Sequence, residues 1–237
     1  MSVPAVPILM YHKVAPVNPR ATTKGHYVSP RLFAKQMAML ATRGYVPISL
    51  SALQCGKVSE KSIVITFDDG YENFFTNALP VLVRHGFPAT VFLVANAIGK
   101  TNRWDADLGD VEERLMCVSQ IKEAMAVGAE FGSHTLDHAD LAKVSKDEAW
   151  RQIDGSRKVL QDKLGTDIST FCYPYGHKTP EVRDMVPAAG YSLACSTEKG
   201  ANTEDTDPFA LKRVNVRRDT YVPILMYKLR RDVGRVA

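Results

Sequence analysis

Short apolar runs rich in β-branched residues alternate along this chain with longer stretches of helical period. Ile8–Tyr11, Tyr45–Ile48, Ile63–Phe67, Ala89–Leu93, Ala129–Phe131, Thr170–Tyr173 and Leu193–Cys195 read as strands. The runs at 63–67 and 89–94 are almost continuously apolar, as expected of strands covered on both faces of a parallel sheet. Helices are predicted between them. Ser29-Pro30 supplies an N-cap and an N1 proline; Phe33, Met37, Leu40 and Ala41 share one face, and Gly44 stands where this helix stops. Ser145-Lys146-Asp147-Glu148 reads as a capping box opening a helix that turns Ala149, Ile153, Leu160 and Leu164 inward and ends near Gly165. Segment 71–86 carries a stripe of Phe75, Leu79 and Leu82, within which Pro80 predicts a kink or a late start. This alternation, without a Pro/Gly/Ser linker, predicts one α/β domain over residues 1–237, either barrel or doubly wound. Pro-Ile-Leu-Met-Tyr occurs at 7–11 and again at 223–227 with no fixed period, and reads as coincidence.

Composition narrows the picture only a little. Of 237 residues, 45% are hydrophobic and 24% charged, enough to build a sizeable core. A net charge of +4, spread along the chain, does not suggest a nucleic-acid partner. Cys55, Cys117, Cys172 and Cys195 lie far apart and form no CxxC pair, so they read as separate thiols rather than a zinc knuckle or disulfide framework. Met1-Ser2-Val3-Pro4 lacks the charged and apolar regions of a signal peptide, and no run reaches membrane-spanning length, which predicts a cytoplasmic protein. The tail Lys228-Leu229-Arg230-Arg231 reads as a solvated helix face, with acidic headgroups or phosphates as the alternative contact.

Three places carry chemistry. Thr66-Phe67-Asp68-Asp69-Gly70 ends a buried strand with two adjacent carboxylates, which need a metal, a base or hydrogen-bond donors unless they form a solvated turn. The C-terminal ends of strands are where α/β folds place their active sites. His134 and His138, four residues apart after another strand, fall on one side of a helical turn and meet Asp69 as a two-histidine, one-carboxylate set. Such a set leaves positions open for water and substrate. In Tyr173-Pro174-Tyr175-Gly176, proline stiffens and glycine permits an unusual turn, so the Tyr175 N–H is a candidate oxyanion donor.

Thr66–Gly70, His134–His138 and Tyr173–Gly176, in this order, resemble the motifs of the polysaccharide deacetylases (carbohydrate esterase family 4), the group named for the NodB homology domain. Leu9-Met10-Tyr11-His12-Lys13-Val14 and Asn102-Arg103-Trp104-Asp105 are similar to its poly-N-acetylglucosamine deacetylase branch. The resemblance covers roughly residues 7 to 218 and implies a distorted (β/α) barrel, typically of seven strands, that removes N-acetyl groups from amino sugars. It implies Asp69, His134 and His138 as ligands of a divalent metal, zinc first and cobalt, nickel or manganese as alternatives. It implies Asp68 as general base and Tyr175 as the oxyanion N–H. Two positions depart from the pattern. Where many relatives carry an arginine that steadies the aspartate, this chain has Cys172, with Arg213, Arg217 or Arg218 as replacements from elsewhere. Where the acid histidine of a Leu-x-His motif is expected, it reads Leu211-Lys212-Arg213, and arginine does not release a proton at working pH. His12 is therefore the candidate acid and His177 the reserve. Trp104 and Asp105 are candidate cleft residues. Hydrolysis of another C–N amide, or carbohydrate binding without catalysis, are the alternative functions.

Overall fold

The structure is a computed structural model that describes residues 5–56, 58–106 and 109–234. Met1–Pro4 lie outside the described residues, and so does the side chain of Cys55. In chain order the elements are β1 (Val6–Tyr11), β2 (Lys13–Val14), β3 (Tyr27–Val28), α1 (Pro30–Thr42), β4 (Val46–Ile48), β5 (Ser62–Phe67), α2 (Leu79–His85), β6 (Ala89–Leu93), α3 (Arg103–Ala106), α4 (Val118–Ala126), β7 (Ala129–Ser133), α5 (Lys146–Leu164), β8 (Thr170–Cys172), α6 (Pro180–Ala188), β9 (Leu193–Lys199), β10 (Ala201–Asn202), β11 (Leu211–Asn215) and α7 (Val222–Gly234). β1, β5, β6, β7, β8, β9 and β11 pair in parallel, in chain order, and β11 returns to β1 to close a seven-stranded barrel. β4 adds to β5 outside the ring, β10 pairs antiparallel with β1, and β2 and β3 form a separate parallel ribbon. The fold is thus a single α/β domain of the distorted barrel type.

Two apolar layers follow from the pleat. Leu9, Tyr11, Ile63, Ile65, Phe67, Val91 and Phe131 face outward and pack with the helices, among them Phe33, Met37, Ile153 and Leu160. Ile8, Val64, Phe92, Cys172, Cys195 and Leu211 face inward and fill the lower barrel with Leu50. Side chains alternate along a strand. His12 therefore continues the inward row of Ile8 and Met10, Asp68 that of Val64 and Thr66, and Arg213 that of Leu211. Simple strand period delivers three polar groups to the upper mouth of the barrel.

The helix ends behave largely as their sequences predict. Ser29 Oγ accepts the Leu32 N–H at 3.2 Å, and Gly44 leaves α1 in the left-handed region. Ser145 Oγ accepts the Glu148 N–H, but the reciprocal half of the capping box is not made; Glu148 binds Arg151 and Gln152 instead. Pro80 is accommodated by a π turn over Phe74–Ala78 just before α2, so the late start takes the form of a widened turn. No helix among the described residues is long and apolar enough to cross a membrane. In the tail, Lys228 is not a free surface cation: its Nζ donates to the Asn215 carbonyl at 2.7 Å, and Leu229 is buried.

The repeated peptide shows how far context overrides local preference. Val6–Tyr11 is a buried strand, whereas the same six residues at 222–227 open α7. Pro223 is tolerated because the first helical turn has no use for its missing N–H. In α7 Leu225 and Leu229 are fully buried, Val222 and Met226 pack part-buried against the core, and Ile224 is 42% exposed. We expect Leu225→Ala to destabilise the protein by about 2–5 kcal/mol and Ile224→Ala by under about 1 kcal/mol, read by urea unfolding. Equal losses at both positions would contradict this seating of α7.

Candidate active site

One cleft at the C-terminal ends of the barrel strands, of about 410 Å³, gathers nearly every polar group singled out from the sequence. Its lining includes His12, Asp68, Asp69, Trp104, Asp105, His134, His138, Tyr175 and His177, together with His26, which no motif marked. Pleat alone places His12, Asp68 and His134. Asp69 is out of phase and is turned back by a φ of +73°. Thr135 (φ +68°), His138 (φ +60°) and Tyr175 (φ +59°) complete the non-glycine residues in the left-handed region among the described residues, and all four are in or beside this cleft. Such conformations cost on the order of 1–3 kcal/mol each and persist where the surroundings over-determine them.

His134 and His138 do converge, though through a turn rather than the helical turn that their spacing suggested. The turn is fixed from outside. The Ala95 and Asn96 N–H groups donate to the Thr135 and Leu136 carbonyls, and Gln152 Oε1 of α5 accepts the Asp137 N–H. His134 Nδ1 stands 2.7 Å from the Cys172 carbonyl, a contact that takes the Nδ1–H and leaves Nε2 bare toward the cleft. Burial and the neighbouring His138 pull its pKa down to about 4. The His138 ring is held between Trp104, stacked at 4.7 Å, and Tyr175, edge-on at 4.8 Å.

The donor set fits a metal. Asp69 Oδ1 is buried and accepts no hydrogen bond from the described residues, an expensive state for a carboxylate. His134 Nε2 and His138 Nε2 lie 3.5 and 3.3 Å from it. That is long for a hydrogen bond. It matches the spacing of two ligands on a tetrahedral ion, about 3.3 Å for bonds of about 2.0–2.1 Å. Burial alone would raise the Asp69 carboxyl, but His138, with His12 and His134, holds it well below the usual carboxylate range.

Asp68 has a different environment. Arg213, fully buried on β11, grips it with two parallel bonds, NH1 to Oδ1 at 2.7 Å and NH2 to Oδ2 at 2.8 Å. The guanidinium is itself fixed by the Ser196 carbonyl, Thr66 Oγ1 and Cys172 Sγ. Of the three arginines considered as replacements, only Arg213 reaches the aspartate; Arg217 and Arg218 lie exposed near Gly25. Burial would raise Asp68, yet the Arg213 charge, aided by His12, brings it below its ordinary value. The Cys172 thiol is pushed well up by burial and is no nucleophile.

His12 Nε2 sits 3.8 Å from Asp68 Oδ2. Burial and the stacked His26 pull His12 down to about 3, against the opposing pull of Asp68 and Asp69. His177, by contrast, sits at the rim and pairs with Asp140 at 2.9 Å. Tyr175 occupies a tight turn whose internal bonds run from the Gly176 and His177 N–H groups to the Tyr173 and Pro174 carbonyls. The Tyr175 N–H is not among them. A Cβ on Gly176 would fall 2.0 Å from Thr197 Oγ1, so this turn needs glycine. Asp105 is tied to Asn102 and Tyr71; Cys117, Cys172 and Cys195 are free thiols.

The Asp68–Arg213 pair is open to a direct test. Arg213→Met leaves a buried carboxylate without its counter-charge and is expected to cost about 3–5 kcal/mol in denaturant unfolding. Adding Asp68→Asn should recover part of that loss. A cost under about 1 kcal/mol for the single change would show that the pair is not an essential support of the cleft.

A sequence model for polysaccharide deacetylases matches residues 56–194, which include Asp68, Asp69, His134, His138 and the Tyr175 turn. YxkH of Bacillus subtilis (strain 168) is 30% identical over 216 residues, covering 89% of this chain and 71% of its own length. The poly-beta-1,6-N-acetyl-D-glucosamine N-deacetylase of Staphylococcus aureus (strain MRSA252) is 25% identical over 211 residues, or 84% of this chain and 70% of the relative. Among solved structures, a polysaccharide deacetylase from Bacillus cereus superposes with a TM-score of 0.81 at 28% identity, over 95% of this chain and 69% of that one. With a family match over more than half its length and relatives aligned along most of it, this chain belongs to the polysaccharide deacetylase family.

Proposed function

We propose that this protein is a metal-dependent hydrolase that removes N-acetyl groups from the amino sugars of a glycan. The observation that carries the reading is Asp69 Oδ1, buried without a donor beside two imidazole Nε2 atoms. Asp69, His134 and His138 would hold a divalent cation, zinc in the first place. Bound there, it polarises the acetyl carbonyl and lowers the pKa of the attacking water.

The remaining work falls to the chain. Asp68 is kept ionised by Arg213 and takes the proton of the water as it attacks. Because both its oxygens are tied to the guanidinium, the carboxylate cannot swing and its free lone pairs stay aimed at the cleft. His12 starts the reaction neutral, so the proton it gives must first come from the water by way of Asp68, and their 3.8 Å separation must close to hydrogen-bond distance in the substrate complex. It then passes that proton to the departing nitrogen. One proton leaves the water and one reaches the amine, with none drawn from solvent. The Tyr175 N–H, unused by its own turn, is the donor for the oxyanion. Trp104, at the cleft wall, offers a ring face to a sugar. The S. aureus relative is named for poly-beta-1,6-N-acetyl-D-glucosamine, which makes N-acetylglucosamine oligomers the first substrates to try.

Variants separate the two carboxylates. Asp69→Ala, His134→Ala and His138→Ala should each lose stoichiometric zinc after dialysis, measured by elemental mass spectrometry, and lose turnover with it. Asp68→Asn should keep the metal and lower kcat by about 10²- to 10⁴-fold. Full metal content in the three ligand variants would overturn the site, and near-normal kcat in Asp68→Asn would remove Asp68 as the base.

A further inference from the structure

His12 is unusual for an imidazole given a proton-transfer role, because among the described residues no hydrogen bond holds its ring. Asp68 is 3.8 Å from Nε2, beyond hydrogen-bond reach. Histidines in such roles are commonly oriented by a carboxylate or carbonyl on their second nitrogen. What touches His12 instead is another imidazole. The His26 ring lies against it face to face, with centroids 4.2 Å apart and planes 16° from parallel.

His26 is seated by several independent contacts. β2 and β3 pair in parallel with Lys13 opposite Tyr27 and Val14 opposite Val28, so His12 and His26 enter the ribbon side by side, each one residue ahead of the register. Val14 is clamped by Asn73 and Asn77, which bind its N–H and carbonyl at 2.8 Å each. On the other side, Asp110 accepts the Thr22 and Thr23 N–H groups and the Thr23 hydroxyl, and Tyr27 donates to Glu113. Arg217 covers Gly25, where a Cβ would meet the guanidinium at 2.4 Å, and the Arg218 N–H holds the Gly25 carbonyl. Beneath the ribbon the Lys13 ammonium is fully buried between the Tyr27 and Tyr71 rings, 4.8 and 4.7 Å from their centroids, with no acceptor among the described residues. Burial disfavours a charge on His26, and Lys13 and Arg217 act in the same direction against the pull of Asp69 and Asp105. Burial thus acts against a charge on either ring of the stack.

We infer that His26 is a positioning residue for the reaction: its ring fixes the plane of His12, in place of a hydrogen bond, so that Nε2 faces Asp68 and the departing nitrogen. This rests on the role of His12 proposed above. The stack is the working element, so an aromatic ring without nitrogens serves as well. His26 and His12 form no hydrogen bond with each other, and no proton passes between them.

The test is a four-variant comparison on an N-acetylglucosamine oligomer, using the zinc-loaded full chain: His12→Ala, His26→Ala, His26→Phe and the His12→Ala/His26→Ala double. His26→Ala should lower kcat by about 10- to 100-fold, the scale of a misplaced reacting group, with KM within about threefold of the parent. His26→Phe should restore kcat to within about threefold, and the double variant should be no slower than His12→Ala alone. A His26→Phe enzyme as slow as His26→Ala would overturn the inference, because the nitrogens and not the stack would then matter. So would losses that multiply in the double variant, or a His26→Ala enzyme with normal kcat beside a crippled His12→Ala. A fully active His12→Ala enzyme is a different failure: it removes the proposed role of His12 itself. Should His26→Ala fail to fold, the Phe variant and His12→Ala still decide between stack and nitrogen.

Discussion

Two adjacent carboxylates buried at the end of one barrel strand are the constraint on which the rest of the upper barrel depends. Neither could stay ionised there alone, since burial raises both. The fold resolves this by giving them opposite surroundings. Asp68 stays in the strand's inward row and meets the Arg213 guanidinium across the barrel. Asp69 leaves the row through a left-handed φ and faces two imidazoles, with one oxygen still unsatisfied. One carboxylate has its counter-charge within the chain, and on the proposed reading the other takes its counter-charge from a metal. On that reading a single Asp-Asp step separates base from ligand.

The surrounding structure can be understood as what holds that separation. Gly70, also at positive φ, has no room for a Cβ against Leu93, and Gly132 none between Phe92 and Thr170. The three motif turns are strained at Asp69, at Thr135 and His138, and at Tyr175, and each is tied to neighbouring strands or helices by hydrogen bonds. The rigidity is concentrated where orientation matters, as general base chemistry and oxyanion binding both require.

Much of this was legible in the sequence, and the gaps have physical causes. Seven strand segments and the three motifs could be read because buried parallel strands are apolar runs and because buried carboxylates and paired histidines are costly features. β11 was not identified as a strand, because Lys212 and Arg213 interrupt its apolar pattern; Arg213 points into the barrel only because Asp68 awaits it there. Spacing of four suggested a helical turn for His134 and His138, whereas tertiary bonds from β6 and α5 impose a left-handed one. His26 carried no motif. The one signal that pointed to it is the likeness of His12-Lys13-Val14 and His26-Tyr27-Val28, two short strand-like triplets that prove to pair in register. The repeated Val-Pro-Ile-Leu-Met-Tyr, strand at one end and helix at the other, shows why such short likenesses need the structure to interpret them.

The most direct measurement is acetate release from a panel of N-acetylated glucosamine oligomers, before and after the protein is stripped of divalent metal and then reloaded with zinc. The account predicts release that disappears on stripping and returns with zinc. Release that continues unchanged in the stripped protein, or no release from any oligomer with zinc confirmed bound, would contradict it.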